Sequence, residues 1–272
     1  MLKGENVQKM AEPALVVKNL TQQFEGVLAV DHLNMELEAG KIYGLIGTNG
    51  AGKSTVINML SGSLTPTEGE IIYHGKNMEK LSADDCARAG IARTFQNLRL
   101  FGDQTCLVNV MTACQVSRTY NLFEMLVFSP KYRREEKEFR ERAYEQLCMM
   151  KIEEYADQTA DSLPYGLARR LEIARCLALH PGLLLLDEPA AGMNPQESQD
   201  LVKDIRMIHE QHPDMTIILI EHDIKVIMSL CSYIYVMASG KKIAEGTPEE
   251  IQNSEKVIAT YLGGTKHVHR KA

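Results

Sequence analysis

Eight consecutive residues constrain this chain more than any others: Gly47-Thr48-Asn49-Gly50-Ala51-Gly52-Lys53-Ser54. They fit the phosphate-loop pattern G-x-x-x-x-G-K-[ST] without a gap. Each residue type stands where the chemistry needs it. The glycines let backbone N–H groups turn inward around phosphate oxygens. Lys53 reaches the outer phosphates, and the Ser54 hydroxyl can ligate Mg²⁺. The flanks suit the loop as well. Lys41-Ile42-Tyr43-Gly44-Leu45-Ile46 reads as a short buried strand, and Ser54-Thr55-Val56-Ile57-Asn58-Met59-Leu60 as the first turns of a helix. The N-terminal end of such a helix attracts anions on its own account. By chance the bare pattern turns up in roughly one chain in a hundred of this length. The strand-loop-helix setting makes nucleotide binding the expectation.

Length and composition bound the rest. The chain has 272 residues, 44% of them hydrophobic, enough for one large domain or two lobes with a shared interface. A net charge of −6 argues against a general nucleic-acid scaffold, so no nucleic acid is expected among its partners. Six cysteines show no C-x-x-C spacing and read as reduced thiols packed as small hydrophobes, which points to the cytosol. No run approaches the ~18 apolar residues of a membrane span. Residues 1–13 carry two lysines and no apolar core, so no signal peptide is expected. Membrane work would have to pass through a partner.

Along the chain, 1–12 reads as a flexible lead. From 14 to 80 short β-like runs dominate, Leu15-Val16-Val17, Leu33-Asn34-Met35-Glu36-Leu37 and Ile71-Ile72-Tyr73 among them. From 87 to about 163 the pattern turns helical. It is clearest over 133–150, where Phe139, Ala143, Leu147 and Met150 share one face and a mixture of Glu and Arg solvates the other. From 169 to 251 apolar strands (183–186, 216–220) alternate with helices (169–179, 196–209, 224–231). That alternation implies βαβ units and a parallel sheet, an α/β fold. The stretch 265–272 is a basic tail whose two histidines alone make a poor metal site.

Leu183-Leu184-Leu185-Leu186-Asp187-Glu188 supplies what the phosphate loop lacks. Four apolar residues ending in two carboxylates read as a buried strand with its tip at the phosphates. Asp187 would hold Mg²⁺, directly or through water, and Glu188 would polarise the attacking water. Alone, such a run is usually a strand ending in solvated charge; together with residues 47–54 it reads as the second half of a hydrolytic site.

With Asp187-Glu188-Pro189, Gln96 and His222 at these spacings, the chain resembles the ATP-binding-cassette (ABC) ATPases from about residue 14 to 263. The resemblance implies a P-loop NTPase core of parallel sheet with helices, an antiparallel β-subdomain and an α-helical subdomain at about 91–163, all within a domain spanning 13–264. It implies ATP and Mg²⁺ as cofactors, with ATP on Phe24 and on Gly47, Thr48, Asn49, Gly50, Ala51, Gly52, Lys53, Ser54 and Thr55. Phe24, ahead of Gly26 and the strand at 27–30, looks like the aromatic that stacks on adenine. Gln96, in Arg93-Thr94-Phe95-Gln96, looks like the glutamine that joins Ser54 and Asp187 around the metal and hinges the helical lobe. Glu188 and His222, the latter in Ile220-Glu221-His222-Asp223, resemble the catalytic base and the switch histidine. Ser162-Leu163-Pro164-Tyr165-Gly166 with Arg169-Arg170-Leu171-Glu172-Ile173-Ala174-Arg175 resembles the signature region, and Asn194 sits in the dimer-contact loop. In the family, the signature touches ATP held by the opposite subunit.

The motifs also resemble one branch, the importers of branched-chain and related hydrophobic amino acids. Arg93-Thr94-Phe95-Gln96-Asn97-Leu98-Arg99-Leu100-Phe101 and Glu188-Pro189-Ala190-Ala191-Gly192-Met193-Asn194-Pro195 carry that likeness, and the charged helix 131–146 sits where the branch has an extra helical stretch. The implied partners are a second cassette subunit, in a hetero- or homodimer, two integral membrane permeases and, indirectly, an extracytoplasmic solute-binding protein. The implied location is the cytoplasmic face of the membrane. Rival readings are the same engine in lipopolysaccharide extraction or urea import, or a soluble ABC ATPase of repair or translation. The repair members' long coiled-coil insertions and the translation members' second cassette are both missing here. A kinase or GTPase would share the phosphate loop alone. The chain departs from the wider family at three positions. Pro164 replaces Ser and has neither hydroxyl nor N–H, Leu167 replaces Gln, and Asn194 replaces Asp. In a heterodimer, the site built on this chain's Lys53 and Glu188 would then hydrolyse faster than the site its signature completes.

Overall fold

The computed structural model describes residues 13–263. The lead expected at 1–12, the last residue of the expected 13–264 domain and the basic tail at 265–272 lie outside the described residues. In chain order the first elements are β1 (Pro13–Phe24), β2 (Val27–Glu38), β3 (Ile42–Gly47), α1 (Lys53–Leu60), β4 (Glu68–Tyr73), β5 (Lys76–Asn77), α2 (Ala83–Arg88) and β6 (Ile91–Arg93). A helical run follows, with α3 (Cys106–Cys114), α4 (Leu122–Leu126), α5 (Pro130–Met149) and α6 (Tyr165–Leu177). The chain then alternates through β7 (Leu183–Asp187), α7 (Pro195–Gln211), β8 (Thr216–Ile220), α8 (Ile224–Leu230), β9 (Tyr233–Ala238) and β10 (Lys241–Gly246), and closes with α9 (Pro248–Gln252) and α10 (Glu255–Gly263).

Two sheets result. One is antiparallel, in the order β2-β1-β4-β5. The other runs β10-β9-β3-β8-β7-β6 and is parallel except where β10 pairs with β9. The inner strands β3, β7 and β8 are buried at every position and mostly apolar because both faces are covered. Along β7, Leu184 and Leu186 join one core with α3, α5, α6 and α7, while Leu183 and Leu185 join a second core with α1 and the antiparallel sheet. All four leucines are fully buried. At about 1.5–3 kcal/mol per buried leucine side chain, this one strand adds to both cores at once.

The structure adds strands at two places where the sequence pattern shows none. Ile91–Arg93, expected at the start of the helical region, is the edge strand β6, paired in parallel with β7. Three residues are too few to display a period, and the pairing comes from the sheet rather than from local propensity. β9 and β10 occupy a stretch with no element assigned, although Tyr233-Ile234-Tyr235-Val236-Met237 ahead of Ser239-Gly240 is a strand-and-turn signal. α5 matches the reading of 133–150: Phe139, Ala143, Leu147 and Met150 are buried, while Arg134–Glu138 and Lys137–Glu141 pairs lie on the exposed side. All six cysteines are free, and all but Cys148 are buried. Among the described residues, no helix is long and apolar enough to cross a membrane.

Candidate functional site

The carboxyl ends of β3, β7 and β8 lie side by side, and the site is built from the loops that leave them. The loop after β3 is shaped by its glycines. Gly50 and Gly52 have φ of 76° and 101°, a region that side chains disfavour. A Cβ on Gly47 would lie 2.3 Å from the Met237 carbonyl oxygen, and one on Gly52 2.4 Å from that of Ala29. No side chain caps the N-terminus of α1, so its first N–H groups are left to a ligand. Lys53 folds back across the loop, donating to Gly47 O at 2.8 Å and Thr48 O at 3.2 Å. Burial holds its ammonium below the ordinary lysine value, and the nearby Glu188 and Asp187 carboxylates work against that shift. The Ser54 hydroxyl is exposed beside it.

Glu188 directly follows β7 and adopts a left-handed backbone, φ 49°. That conformation costs a non-glycine residue about 1–3 kcal/mol and is fixed here by the bond from its N–H to Ile220 O at 3.0 Å. The turn aims the carboxylate between two side chains. Gln96 Nε2 donates to Oε2 at 3.1 Å, and His222 Nε2 lies 2.7 Å from Oε1. Three residues spread over the sequence thus converge on one carboxylate. Glu221 fastens the loops behind them. Its carboxylate accepts from Ala190 N at 2.7 Å and His222 N at 3.3 Å, and burial pushes its pKa up.

Asp187 sits deeper, with Oδ2 paired to Arg93 Nη2 at 2.9 Å. Arg93 also donates to Asn58 Oδ1 and Ser61 Oγ, tying β6 to α1. Asp187 Oδ1 receives no hydrogen bond from the described residues. Among those residues no group of three or more His, Cys, Asp or Glu could hold a metal. A cation here would therefore lean on one hydroxyl, one amide, one carboxylate and the phosphates themselves, a hard oxygen donor set suited to Mg²⁺. Phe24 ends β1 and pairs with Val27 at the start of β2, the strand whose Ala29 carbonyl packs on Gly52, and the residue is 45% exposed.

The signature residues stand apart. Leu163 and Pro164 lead into α6 and Tyr165 and Gly166 are its first residues, with Pro164 at a cap position that offers no side-chain hydrogen bond. Tyr165 packs against Gly192, Gly166 faces Glu197, and Leu167 is half-buried against the core. Asn194 caps α7, accepting from the N–H groups of Gln196 and Glu197. Among the described residues, no side chain of 163–166 bonds to Lys53, Asp187 or Glu188. The link is Arg169, fully buried one turn into α6. It donates to Phe95 O at 2.7 Å, Gln96 O at 3.1 Å, Tyr165 Oη at 2.8 Å and Glu172 Oε2 at 2.7 Å, while Glu172 Oε1 accepts from Phe95 N. Burial keeps the Glu172 pKa raised in spite of the partner arginine. Arg93, Arg169, Glu172 and Glu221 have no assigned role in the sequence reading. The available signal was charge inside apolar surroundings: Arg93 ends Ile91-Ala92, and Arg169 and Glu172 alternate with buried Leu171 and Ile173.

The ABC transporter family profile matches residues 30–191, and that of the branched-chain amino acid ATP-binding cassette transporter matches 241–267. The high-affinity branched-chain amino acid transport ATP-binding protein LivG of Escherichia coli (strain K12) is 43% identical over 254 residues, 93% of this chain and 99% of the relative. The lipopolysaccharide export system ATP-binding protein LptB of Haemophilus influenzae is 30% identical over 92% of this chain and 97% of its own. Among solved structures, a nucleotide-free ATP-binding cassette from an ABC transporter superposes with a TM-score of 0.79 at 28% identity, covering 92% of this chain and 98% of that one.

Proposed function

The chain belongs to the ABC transporter family, and from that membership we propose that it is the ATP-hydrolysing subunit of an importer of branched-chain or related hydrophobic amino acids. Its domain is 13–264, with 91–163 (less the strand β6) as the lobe that would meet a permease. The observation that carries the hydrolase reading is the convergence of Gln96 and His222 on Glu188, beside Lys53 and the bare N-terminus of α1. The substrate class rests on the likeness to LivG along nearly the whole chain and on the matching segment 241–267.

ATP would lie with its phosphates in the loop 47–55 and its adenine against Phe24. Lys53 and the loop N–H groups neutralise the phosphate oxygens. Glu188 accepts a proton from the water that attacks the γ-phosphorus, and His222 holds that carboxylate and the γ-phosphate in register. This is catalysis by alignment and charge stabilisation. Bound Mg²⁺ would neutralise charge that develops between the outer phosphates; Ser54, Gln96 and Asp187 Oδ1 are the residues that would hold it. The α6 N-terminus, with Leu163 to Gly166, would face ATP on a second cassette subunit, and Asn194 would stand at that dimer contact. Gln96 then joins two events, since its side chain touches Glu188 and its backbone is gripped by Arg169.

The test is to extract the protein from membranes in mild detergent and identify its companions by mass spectrometry. Two multi-span permeases, a second cassette ATPase and transport of labelled leucine support the reading. Companions of a lipopolysaccharide exporter, or of repair or ribosomal complexes, would overturn the importer and leave the ATPase.

A further inference from the structure

α4 and the turn after it present their apolar side chains outward. Leu122, Phe123, Leu126, Val127 and Phe128 are 53–70% exposed. Met125 alone turns in to pack on the core, so α4 contributes little to it. Five large exposed hydrophobics within seven residues form a continuous apolar knuckle, which a chain does not keep facing water without a use for it.

The charges around the knuckle say what covers it. Residues 118–134 hold four basic side chains and one acid, a local net charge of +3 in a chain of net charge −6. Arg118, Arg133 and Arg134 are exposed. Arg134 shares its exposed side with Glu138, to which it pairs, while the acids closer to α4 are engaged in hydrogen bonds. Glu124 accepts from Asn121 N and pairs with Lys131, Glu135 accepts from Thr119 N, and Glu136 accepts from the Tyr120 hydroxyl. Apolar side chains projecting from a short helix, with exposed arginines close on either side in sequence and the nearest carboxylates engaged in hydrogen bonds, match the boundary between anionic headgroups and acyl chains. A permease loop would call for a groove to receive it, and these side chains stand out from the surface.

We propose that α4 and the turn 127–129 dock on the anionic lipid surface of the membrane, seating the helical lobe against the bilayer beside the permease. This docking rests on the membrane function proposed above for its setting, but it is measured separately from it. Each arginine near an anionic surface strengthens partitioning by about fivefold, and the effect falls with salt within a Debye length.

The experiment is flotation of the purified full-length chain with phosphatidylcholine vesicles, with and without phosphatidylglycerol, at low and high salt. The wild-type chain should float with the phosphatidylglycerol vesicles at low salt and much less with phosphatidylcholine alone. The double substitution Phe123→Ser, Leu126→Ser should cut binding about tenfold or more. Arg133→Gln with Arg134→Gln should remove most of the preference for the anionic lipid. These residues are exposed, and unchanged circular dichroism and ATP binding on the same samples establish that the variants are folded. Absence of wild-type binding would overturn the proposal. So would undiminished binding of the apolar double variant, including the case in which only removal of 265–272 abolishes it. Loss of permease co-purification by a variant that still floats like wild type would assign the knuckle to protein contact and overturn it as well. A chain that binds vesicles but not ATP would instead sink the ATPase reading.

Discussion

The two ends of the nucleotide machinery are built differently. The half proposed to hold phosphate is complete within the chain. Three adjacent strand ends bring Lys53, Asp187, Glu188 and His222 together, and both carboxylates there have a named partner. The signature half is a helix N-terminus without a side-chain cap, reached through Pro164 and lined by Leu167, and α6 is tied to the first half further along, by Arg169 and Glu172 on the backbone of 95–96 and by Cys176 on Arg93 O. A site assembled from strand ends can act on its own nucleotide. An uncapped helix end facing outward can act only on something brought to it. The contrast makes the chain a half-machine, and substitutions should sort according to which half they strike.

The largest effect belongs to Glu188→Gln. The amide keeps the shape and the contact with Gln96 but cannot take a proton, so turnover should fall about 10²–10⁴-fold while ATP affinity stays near wild type. Turnover at the wild-type rate would remove Glu188 as base and erase the contrast. Arg169→Ala comes next, on the other side. It leaves Glu172 buried with its guanidinium partner gone, which should cost about 3–5 kcal/mol in urea unfolding, and it frees the carbonyls of Phe95 and Gln96. If stability is kept but basal hydrolysis by the isolated chain is lost, the arginine serves the phosphate half rather than the link. Lys53→Ala should weaken ATP binding about tenfold to a hundredfold, the worth of a charge-assisted bond to phosphate. Unchanged affinity in a titration would count against the loop as the phosphate cradle.

Legibility in the sequence follows the same division. Residues 47–54 and 183–188 were readable because each residue there has local chemistry: glycine for φ, lysine for phosphate, carboxylates at the end of an apolar run. The parallel sheet was readable from alternation, and its double-sided burial from unbroken Leu and Ile runs. The edge strand β6 was not, since three residues carry no period and only pairing with β7 makes them a strand. Nor was the role of Arg169, because its four acceptors lie 3, 4, 73 and 74 positions away and only packing brings the distant pair close. The resemblance to the ABC family and its fold held along the chain, while the tethers that join the two halves had to be seen in three dimensions.

The smallest effect is the most discriminating. Pro164 denies the α6 N-terminus a hydroxyl and an N–H, and Leu167 denies it an amide, yet neither touches this chain's own Lys53 or Glu188. Pro164→Ser with Leu167→Gln should therefore leave basal hydrolysis by the isolated chain within about twofold. In a heterodimer it should raise turnover at the partner's nucleotide severalfold, about what one or two added neutral hydrogen bonds supply. Glu188→Gln in this chain, set against the matching change in the partner, reads the asymmetry directly. Before the repair, the change in this chain should cost more turnover than the change in the partner; after it, the two losses should approach each other. Equal losses from the outset would mean that the signature half, for all its missing polar groups, is as competent as the half that holds phosphate, and that the helix N-terminus alone supplies what the partner's γ-phosphate requires.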